Sequence, residues 1–299
     1  MADQKAIQSK IKTVGNIKKM TAAMEMIART KMKKAVDGVL SVRPYALYAQ
    51  ELLMHLSADQ TLESPYLSHG AGEKTLLVVI ASDKGLCGGY NANVNRLLRF
   101  YISDNKNVEV LALGKRAILE AKKLGIKTVA EYRDVPDKVS SEYVAEISNE
   151  LRKAFRSGEY KMVEAIYTDY VSSFSQKAQT RTILPVSVKG VTEIIEKAAF
   201  GTEKKEELND GDGFGMYLLE PNVETILNTV VPMLVDVAML HSILESKASE
   251  ESMRMFAMKN ATENAKELQN DLTLSYNRAR QQGITQEIAE IAAGADALS

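Results

Sequence analysis

The amino-acid sequence predicts an α/β domain with a mainly parallel sheet, combined with a long antiparallel α-helical coiled coil formed by the two ends of the chain. The first observation is a helical apolar repeat within residues 1–58. The second is an alternation of strand and helix patterns within residues 73–200. The third is another helical repeat within residues 214–299, where no proline follows Pro232. Two long helices that flank a small sheet domain are therefore expected.

The N-terminal region is predicted to form a helix with one narrow apolar stripe. Apolar or small residues recur three and four positions apart, which is the spacing of one helix face. They are Ile7, Ile11, Val14, Ile17, Thr21, Met24, Ala28, Met32, Ala35 and Val39. Proline has no amide hydrogen, so we expect Pro44 to kink the helix or break it locally. Residues 57–72 contain Pro65 and Gly70 and are predicted to form a linker.

The middle region has the pattern of five strands and three helices. The predicted strands are Thr75–Ala81, Val108–Leu113, Ile126–Glu131, Met162–Thr168 and Ala178–Val188. The helices that separate the first four are Asn93–Ile102, Lys115–Leu124 and Val139–Arg156. Strands separated by helices indicate a mainly parallel sheet. Since the last two strands are joined by a short connection, that edge of the sheet is expected to be antiparallel.

The C-terminal region follows a polar loop at residues 201–213 and a short strand-like segment, Phe214–Leu219. From Asn222 onward a helix is predicted. Its stripe consists of Val230, Leu234, Val237, His241, Leu244, Ala248, Ala257, Ala261, Ala265, Leu268, Leu272, Tyr276 and Ala279. At ~1.5 Å rise per residue this helix is about 110 Å long, which is more than a globular domain needs.

Neither long helix can bury its stripe alone, so an antiparallel coiled coil between them is the economical arrangement. This pairing is expected to place Met24 near residues 254–258. The N-terminal helix ends first, so the last ~20 residues of the C-terminal helix, about 30 Å, should project without an intrachain partner. Three isoleucines in this projection would then need cover from another protein. They are Ile284, Ile288 and Ile291.

The composition is that of an ordinary soluble protein, and it excludes several classes. A formal net charge of -1 gives no overall attraction to nucleic acid or to an anionic membrane. The N-terminal helix is locally basic and the last residues are acidic, which indicates local partner surfaces. Cys87 is the single cysteine, so no internal disulfide is possible and a reducing compartment is expected. The three histidines are scattered, and no metal site is predicted.

No membrane-spanning or targeting segment is predicted. The start of the chain is polar and rich in lysine, unlike a signal peptide. The most apolar stretch, residues 223–244, is interrupted by Glu224, Asn228, Pro232, Asp236 and His241.

The segment Ser82–Asn91 lies between a predicted strand and a predicted helix, where a phosphate-binding loop would lie. However, both glycine-rich nucleotide fingerprints are absent, and Lys84 precedes the glycines rather than following them. A tight turn is therefore favoured over a nucleotide site. Cys87 is expected to be a small packing residue rather than a nucleophile. No catalytic dyad or triad is predicted, and no acidic residue stands out as isolated on an apolar background.

Two further clusters remain open to interpretation. The basic run from Arg29 to Lys34 is either a solvated helix face or a surface for an acidic partner. The cluster from Tyr276 to Gln281 indicates either local helix packing or hydrogen bonds to a partner loop.

Three ordered segments resemble the gamma subunits of F-type ATP synthases. They are Ile11–Met32, Ser82–Asn91 and Ile284–Ala297. Arg254–Met258 and Ala261–Ala265 match the same family, so the resemblance extends over essentially the whole chain.

The resemblance implies a central-stalk rotor with a coiled-coil shaft and a Rossmann-like foot domain. It implies partners in the alpha and beta subunits of the catalytic head, the epsilon subunit and the membrane ring of c subunits. ATP chemistry would lie on the beta and alpha subunits, so this chain would have no catalytic residue and no cofactor. The expected location is peripheral, on the cytoplasmic face of a bacterial plasma membrane.

The resemblance also implies contact residues. Met24 and Arg254 match the position where the shaft meets the acidic lever loops of the beta subunits. Four residues match tip positions that touch the catch loops or the bearing of the head. They are Arg280, Gln281, Thr285 and Glu287. Photosynthetic relatives carry a cysteine pair in an inserted loop, and a chain with one cysteine is not expected to share that thiol switch.

Two alternatives stay open from the residues alone. One is a Rossmann-like nucleotide-binding enzyme with helical extensions, which predicts saturable nucleotide binding to the isolated chain. The other is a coiled-coil scaffold for an unrelated complex. The acidic loop at residues 202–212 has no predicted function beyond a solvated connection.

Overall fold

A computed structural model describes residues 2–57, 66–187 and 223–296. The chain divides into two compact units. We call Met1–Arg29 together with Arg254–Ser299 the terminal unit, and Thr30–Met253 the α/β unit. The predicted strand-like segment Phe214–Leu219 lies outside the described residues, as do residues 58–65 of the predicted linker.

The elements follow the predicted order. Helix α1 covers Ala2–Ser57, and helix α5 covers Val223–Asp296. The strands are β1 (Lys74–Ile80), β2 (Val108–Leu113), β3 (Thr128–Tyr132), β4 (Tyr160–Tyr170) and β5 (Gln176–Leu184). The short helices are α2 (Tyr90–Asp104), α3 (Lys115–Lys123) and α4 (Ser141–Arg156).

The five strands form one sheet in the order β3-β2-β1-β4-β5. Strands β1 to β4 pair in parallel, and β5 pairs antiparallel with β4. Both the mainly parallel sheet and its antiparallel edge are therefore confirmed. The parallel strands place their carboxyl ends at one edge of the sheet, where the loops after β1 and β3 and the β4–β5 hairpin lie.

Both faces of the sheet are covered, which explains why β1 is apolar along almost its whole length. Alternate residues of β1 point to opposite faces. Leu76 and Val78 belong to an apolar core that includes residues of α1, α4 and α5, whereas Leu77 and Val79 belong to a second core with α2 and α3.

Helix α1 continues through Pro44 without interruption, so of the predicted kink or local break, the break is wrong and the kink stays a prediction. Proline removes one hydrogen bond within a helix, and the hydrogen bonds of the neighbouring turns maintain the helix on both sides of it. Helix α5 likewise contains Pro232. By length and composition the segment Thr229–Ala289 could cross a membrane, but 67% of its most apolar window is buried inside the protein. Packing on the sheet accounts for its apolar character.

Candidate functional site

The terminal unit is an antiparallel pair of helices held in register by polar contacts. Thr262 Oγ1 donates to Thr21 Oγ1 at 2.7 Å, and Lys18 Nζ donates to Gln269 Oε1 at 3.0 Å. Gln4 Nε2 donates to the carbonyl of Ala279 at 3.0 Å. Residue numbers rise along α1 as they fall along α5, so the predicted antiparallel pairing is confirmed.

Small residues let the two helices approach each other closely. Ala28, Thr21 and Ala265 are all buried along the seam. A Cβ atom on Gly15 would lie 3.3 Å from Nε2 of Gln269, which is tighter than ordinary contact. The stripe of small residues therefore produces a thin two-helix unit.

The C-terminal helix α5 extends beyond the start of its partner helix α1. The contacts near the start of α1 reach Ala279 and Gly283, where a Cβ would lie 2.9 Å from Nε2 of Gln4. Helix α5 continues to Asp296. The isoleucines beyond Gly283 are 50%, 62% and 73% exposed in the order Ile284, Ile288 and Ile291. The predicted projecting apolar tip is thus present in the structure.

All six predicted contact residues lie in the terminal unit. Met24 and Arg254 are half-buried on the two helices. In an antiparallel pair the residue number on α5 falls by one as that on α1 rises by one. The pairs Thr21–Thr262 and Gln4–Ala279 therefore place Met24 level with residue 259, one beyond the predicted stretch of residues 254–258. The other four residues are exposed near or within the tip. They are Arg280, Gln281, Thr285 and Glu287.

The loop after β1 is a self-contained turn rather than an open cradle. Asn91 Nδ2 donates to Ser82 Oγ at 2.7 Å and to Cys87 Sγ at 3.2 Å. Ser82 Oγ donates to the carbonyl of Lys84 at 2.6 Å. These short-range bonds hold the loop closed, and Cys87 is buried beside it.

Protein groups occupy part of the crevice at the carboxyl ends of the strands. The Asp83 carboxylate accepts from the Lys115 amide at the start of α3, at 3.0 Å. Helix α5 lies at the carboxyl end of β4, where Ser246 Oγ accepts from the Thr168 amide at 3.1 Å and Ser249 Oγ donates to the Thr168 carbonyl at 3.1 Å. In folds of this type, ligands bind in the crevice outside the carboxyl ends of the strands. Here that crevice is occupied by an aspartate and a helix.

Metal-ligating side chains do not cluster within the described residues. Across residues 2–57, 66–187 and 223–296, no three histidine, cysteine, aspartate or glutamate side chains are placed to hold a metal ion.

One buried charged cluster was missed by the sequence analysis. Arg181 on β5 is 4% exposed and Glu245 on α5 is 1% exposed, with 3.7 Å between Nη2 and Oε2. Arg181 Nη1 lies 3.0 Å from His241 Nδ1, and its guanidinium stacks 4.5 Å from the centroid of the Tyr167 ring. Glu245 is thus buried but not isolated, because Arg181 and His241 lie beside it.

His241 lies between the two charged side chains. Its Nδ1 is 3.0 Å from Arg181 Nη1 and 3.3 Å from Glu245 Oε2. Arg181 supplies the positive charge that compensates Glu245.

Comparison with known families decides the assignment. The family described as ATP synthase matches residues 3–298. The ATP synthase gamma chain of Desulfitobacterium hafniense is 36% identical over 300 residues and that of Heliobacterium modesticaldum is 33% identical, each with 100% of both chains covered. The gamma chain of Leptospira biflexa is 37% identical over 305 residues, again with 100% of both chains covered.

This chain belongs to the ATP synthase gamma-chain family.

Solved structures share the fold of this chain. A chain from the Euglena gracilis mitochondrial ATP synthase, in a structure of OSCP, F1 and c-ring, has a TM-score of 0.67 and 20% identity, with 99% of this chain and 95% of that chain covered. A chain from the central stalk and c-ring of the Tetrahymena thermophila enzyme has a TM-score of 0.58 and 22% identity, with 81% and 99% covered.

Proposed function

We propose that this chain is the central-stalk rotor of a rotary F-type ATP synthase and transmits torque between a membrane c-ring and the catalytic head. The observation that carries the proposal is the antiparallel pair of long helices, one of which continues beyond the other as an exposed apolar tip. A helical tip with three exposed isoleucines needs a surrounding protein surface. A bearing in the head would supply that surface.

The mechanism is mechanical rather than chemical. We propose that the ATP sites lie on the beta subunits with help from alpha, and that turning the helix pair drives these sites through different conformations in turn. Residues 73–200, within the α/β unit, are the proposed foot, with the epsilon subunit and the c-ring as its partners. The filled crevice at the carboxyl ends of the strands supports a foot that serves as a docking body instead of a nucleotide site.

Specific contacts follow from the positions of the six residues. Met24 and Arg254 are proposed to meet acidic loops of beta, which suits the basic character of the N-terminal helix. The exposed residues Arg280, Gln281, Thr285 and Glu287 are proposed to contact the loops around the tip. Charges at such rims tune orientation and association rate more than net affinity.

The proposed location is peripheral, at the cytoplasmic face of a bacterial energy-transducing membrane. For the functional division of the chain we propose residues 1–58 and 214–299 as the shaft and residues 73–200 as the foot.

Rotation of the assembled complex tests the proposal directly. The head is fixed to a surface through its beta subunits, and a bead is attached to this chain through its foot. We expect ATP to drive continuous rotation of the bead. A chain that co-purifies from membranes without alpha and beta subunits would overturn the proposal.

Deleting Gly283–Ser299 tests the role of the tip. We expect ATP-driven proton pumping or assembly to weaken while the α/β unit stays folded, because the deletion removes no residue of that unit. A matched control replaces Ser299 alone with Ala. Normal assembly and ATP synthesis by the deletion variant would refute a necessary role for the tip.

Nucleotide binding separates the rotor from the enzyme alternative. The isolated chain should not bind ATP, ADP or NAD saturably, and Lys84→Met should change nothing, because the neighbouring Asp83 already occupies the start of α3. Saturable binding that is lost in Lys84→Met would favour an enzyme.

A further inference from the structure

Two loops at one edge of the sheet contact both long helices within the α/β unit. One is the β3–α4 loop at residues 133–140, and the other is the tip of the β4–β5 hairpin at residues 171–175. Both follow the carboxyl ends of parallel strands. We call the polar contacts that these two loops and their flanking strand ends make to α1 and α5 the collar contacts.

The β3–α4 loop contacts each helix through a lysine. Lys31 Nζ of α1 lies 2.7 Å from Asp137 Oδ2, and Lys247 Nζ of α5 donates to the Val135 carbonyl at 3.0 Å. The hydrogen bond from Lys31 keeps the pKa of the Asp137 carboxyl below its usual value. Lys247 is half-buried, which lowers the pKa of its ammonium and strengthens the hydrogen bond to Val135.

The loop that holds these groups is itself fixed to the sheet. Asp83, directly after β1, accepts from the amides of Asp134 at 3.1 Å and Val135 at 2.9 Å. Lys115 Nζ at the start of α3 lies 2.8 Å from Asp134 Oδ1. Asp134 has a positive φ of 53°, which an ordinary residue keeps only when its surroundings hold it there. Force on Lys31 or Lys247 is therefore passed to the centre of the sheet.

The hairpin makes the corresponding contacts from β4 and β5. Tyr170 Oη lies 3.8 Å from the Met32 sulfur of α1. Ser252 Oγ of α5 donates to the Ser173 carbonyl at 2.7 Å and accepts from Gln176 Nε2 at 3.2 Å.

The two loops meet each helix from different sides. Successive helical residues are about 100° apart around the axis, so Lys31 and Met32 face directions about 100° apart. Lys247 and Ser252 are five residues apart on α5, which places them about 140° apart. A helix held from two directions cannot turn about its own axis without breaking one of the contacts.

Directionality distinguishes these contacts from the apolar core. Burial of apolar surface is non-directional, so packing alone resists rotation of a helix only weakly. Hydrogen bonds weaken steeply when their angle is lost. The chain also divides next to these contacts, since the α/β unit begins at Thr30 and ends at Met253.

We propose that the β3–α4 loop and the β4–β5 hairpin form a two-sided collar that fixes the rotational position of α1 and α5 on the α/β unit and so sets the torsional stiffness of the rotor. The proposal rests on the proposed function for its mechanical consequence. The fixation of the helices itself does not depend on that function, and the two experiments below separate the two claims.

The first experiment measures torsional stiffness in the assembled complex. The double variant Lys31→Met/Lys247→Met removes both contacts of the β3–α4 loop and keeps the apolar stems of the side chains. The angular fluctuations of a stalled bead give the torsional stiffness of the rotor. If the two loops of the collar act as equal springs in parallel, removing the contacts of one loop should lower this stiffness to about half. The control is Lys153→Met on α4, whose side chain is 75% exposed and pairs only locally with Glu150.

A purely structural role would lower thermal stability without changing stiffness. Unfolding curves of the double variant are therefore measured together with the fluctuations. If a complex with Lys31→Met/Lys247→Met rotates and is as stiff as one with Lys153→Met, the collar proposal is overturned. A wild-type complex that never rotates overturns the proposed function and leaves the collar to the second experiment.

The second experiment uses the purified full chain and no partner. Spin labels are placed on the exposed residues Asp37 of α1 and Glu146 of α4, in a Cys87→Ser background. The distance distribution between them should broaden in Lys31→Met/Lys247→Met. It should stay unchanged in Lys153→Met. Equal widths in the double variant and the control overturn the collar.

Discussion

Removing the charge of Arg181 is predicted to destabilise the α/β unit strongly. Arg181 is 4% exposed, and in Arg181→Met the Glu245 carboxylate, at 1% exposure, would lose the guanidinium that lies 3.7 Å from it. Breaking one half of a buried ion pair typically costs about 3–5 kcal/mol, because a charge is left without compensation in a poorly solvating interior. The variant also loses the contacts of Arg181 with His241 and Ser242 and the stacking on Tyr167.

The expected thermal effect follows from the size of the unit. Each kcal/mol lowers Tm by about 2–4 °C for domains of ~150–250 residues, so a loss of about 3–5 kcal/mol corresponds to a drop of roughly 6–20 °C. Urea unfolding of the purified chain, followed by circular dichroism, measures the free energy of unfolding. The matched control is Arg156→Met at the exposed end of α4, which should change it by less than about 0.5 kcal/mol.

A second substitution separates lost charge pairing from lost packing. Glu245→Gln in the Arg181→Met background removes the buried charge that has lost Arg181, so the double variant should recover more than half of the lost stability. The coupling energy between the two positions is expected to be about 1–3 kcal/mol. A loss below about 1 kcal/mol for Arg181→Met, or a coupling energy near zero, would refute the inference that Arg181 compensates Glu245.

Three further perturbations test the sheet. Burial tends to raise the pKa of Glu109, but hydrogen bonds from Tyr160, Lys74 and Lys127 outweigh it and lower the pKa to about 2. Its stabilisation is therefore present above pH 4.5 and lost as the pH falls toward 2, and Glu109→Gln should remove this part, about 1–3 kcal/mol, from the pH dependence of urea unfolding. Gly114→Ala places a Cβ 2.1 Å from the carbonyl oxygen of Ala81 at a φ of 92°, so we expect a loss above about 2 kcal/mol in the same assay. Its control, Gly125→Ala, meets no atom within 4 Å and should cost about 1–2 kcal/mol for its positive φ alone. Asp83→Asn places a side-chain NH2 group opposite the Val135 N–H, so that two donors face each other, and should cost about 1–3 kcal/mol. The amide hydrogen of Val135 should then exchange faster, and unchanged exchange would contradict the prediction.

Sequence periodicity predicted the sheet closely. The β2 strand has the predicted bounds, and β1 begins and ends one residue earlier than predicted. Buried parallel strands are continuous apolar runs, and such runs can be recognised in the sequence directly. Strand β4 is longer than predicted. The prediction stopped short because residues at its ends, such as Tyr160 and Tyr170, do not continue the apolar pattern.

The projecting tip was also predictable, because it depends only on helix length. When two antiparallel helices start together, the longer one must extend beyond the shorter one. The apolar residues Ile284, Ile288 and Ile291 then mark the tip as a surface for another protein.

The polar contacts that fix the helices were not predictable. Lys247 and Val135 are 112 residues apart, and Arg181 and His241 are 60 apart. No local pattern marks such pairs, since a lysine that bonds a distant carbonyl has the same neighbours in sequence as a solvated one.

The sequence by itself determined which segments are helix or strand, that the chain ends pair antiparallel, and that the C-terminal helix projects. The tertiary structure alone decided which charges are buried together, how Asp83 fills the edge of the sheet, and where the loops hold α1 and α5. The physical reason is that the periodicity of apolar residues reports the burial of each face locally. Ion pairs and side-chain hydrogen bonds instead depend on atoms that only the folded chain brings within about 3 Å of each other.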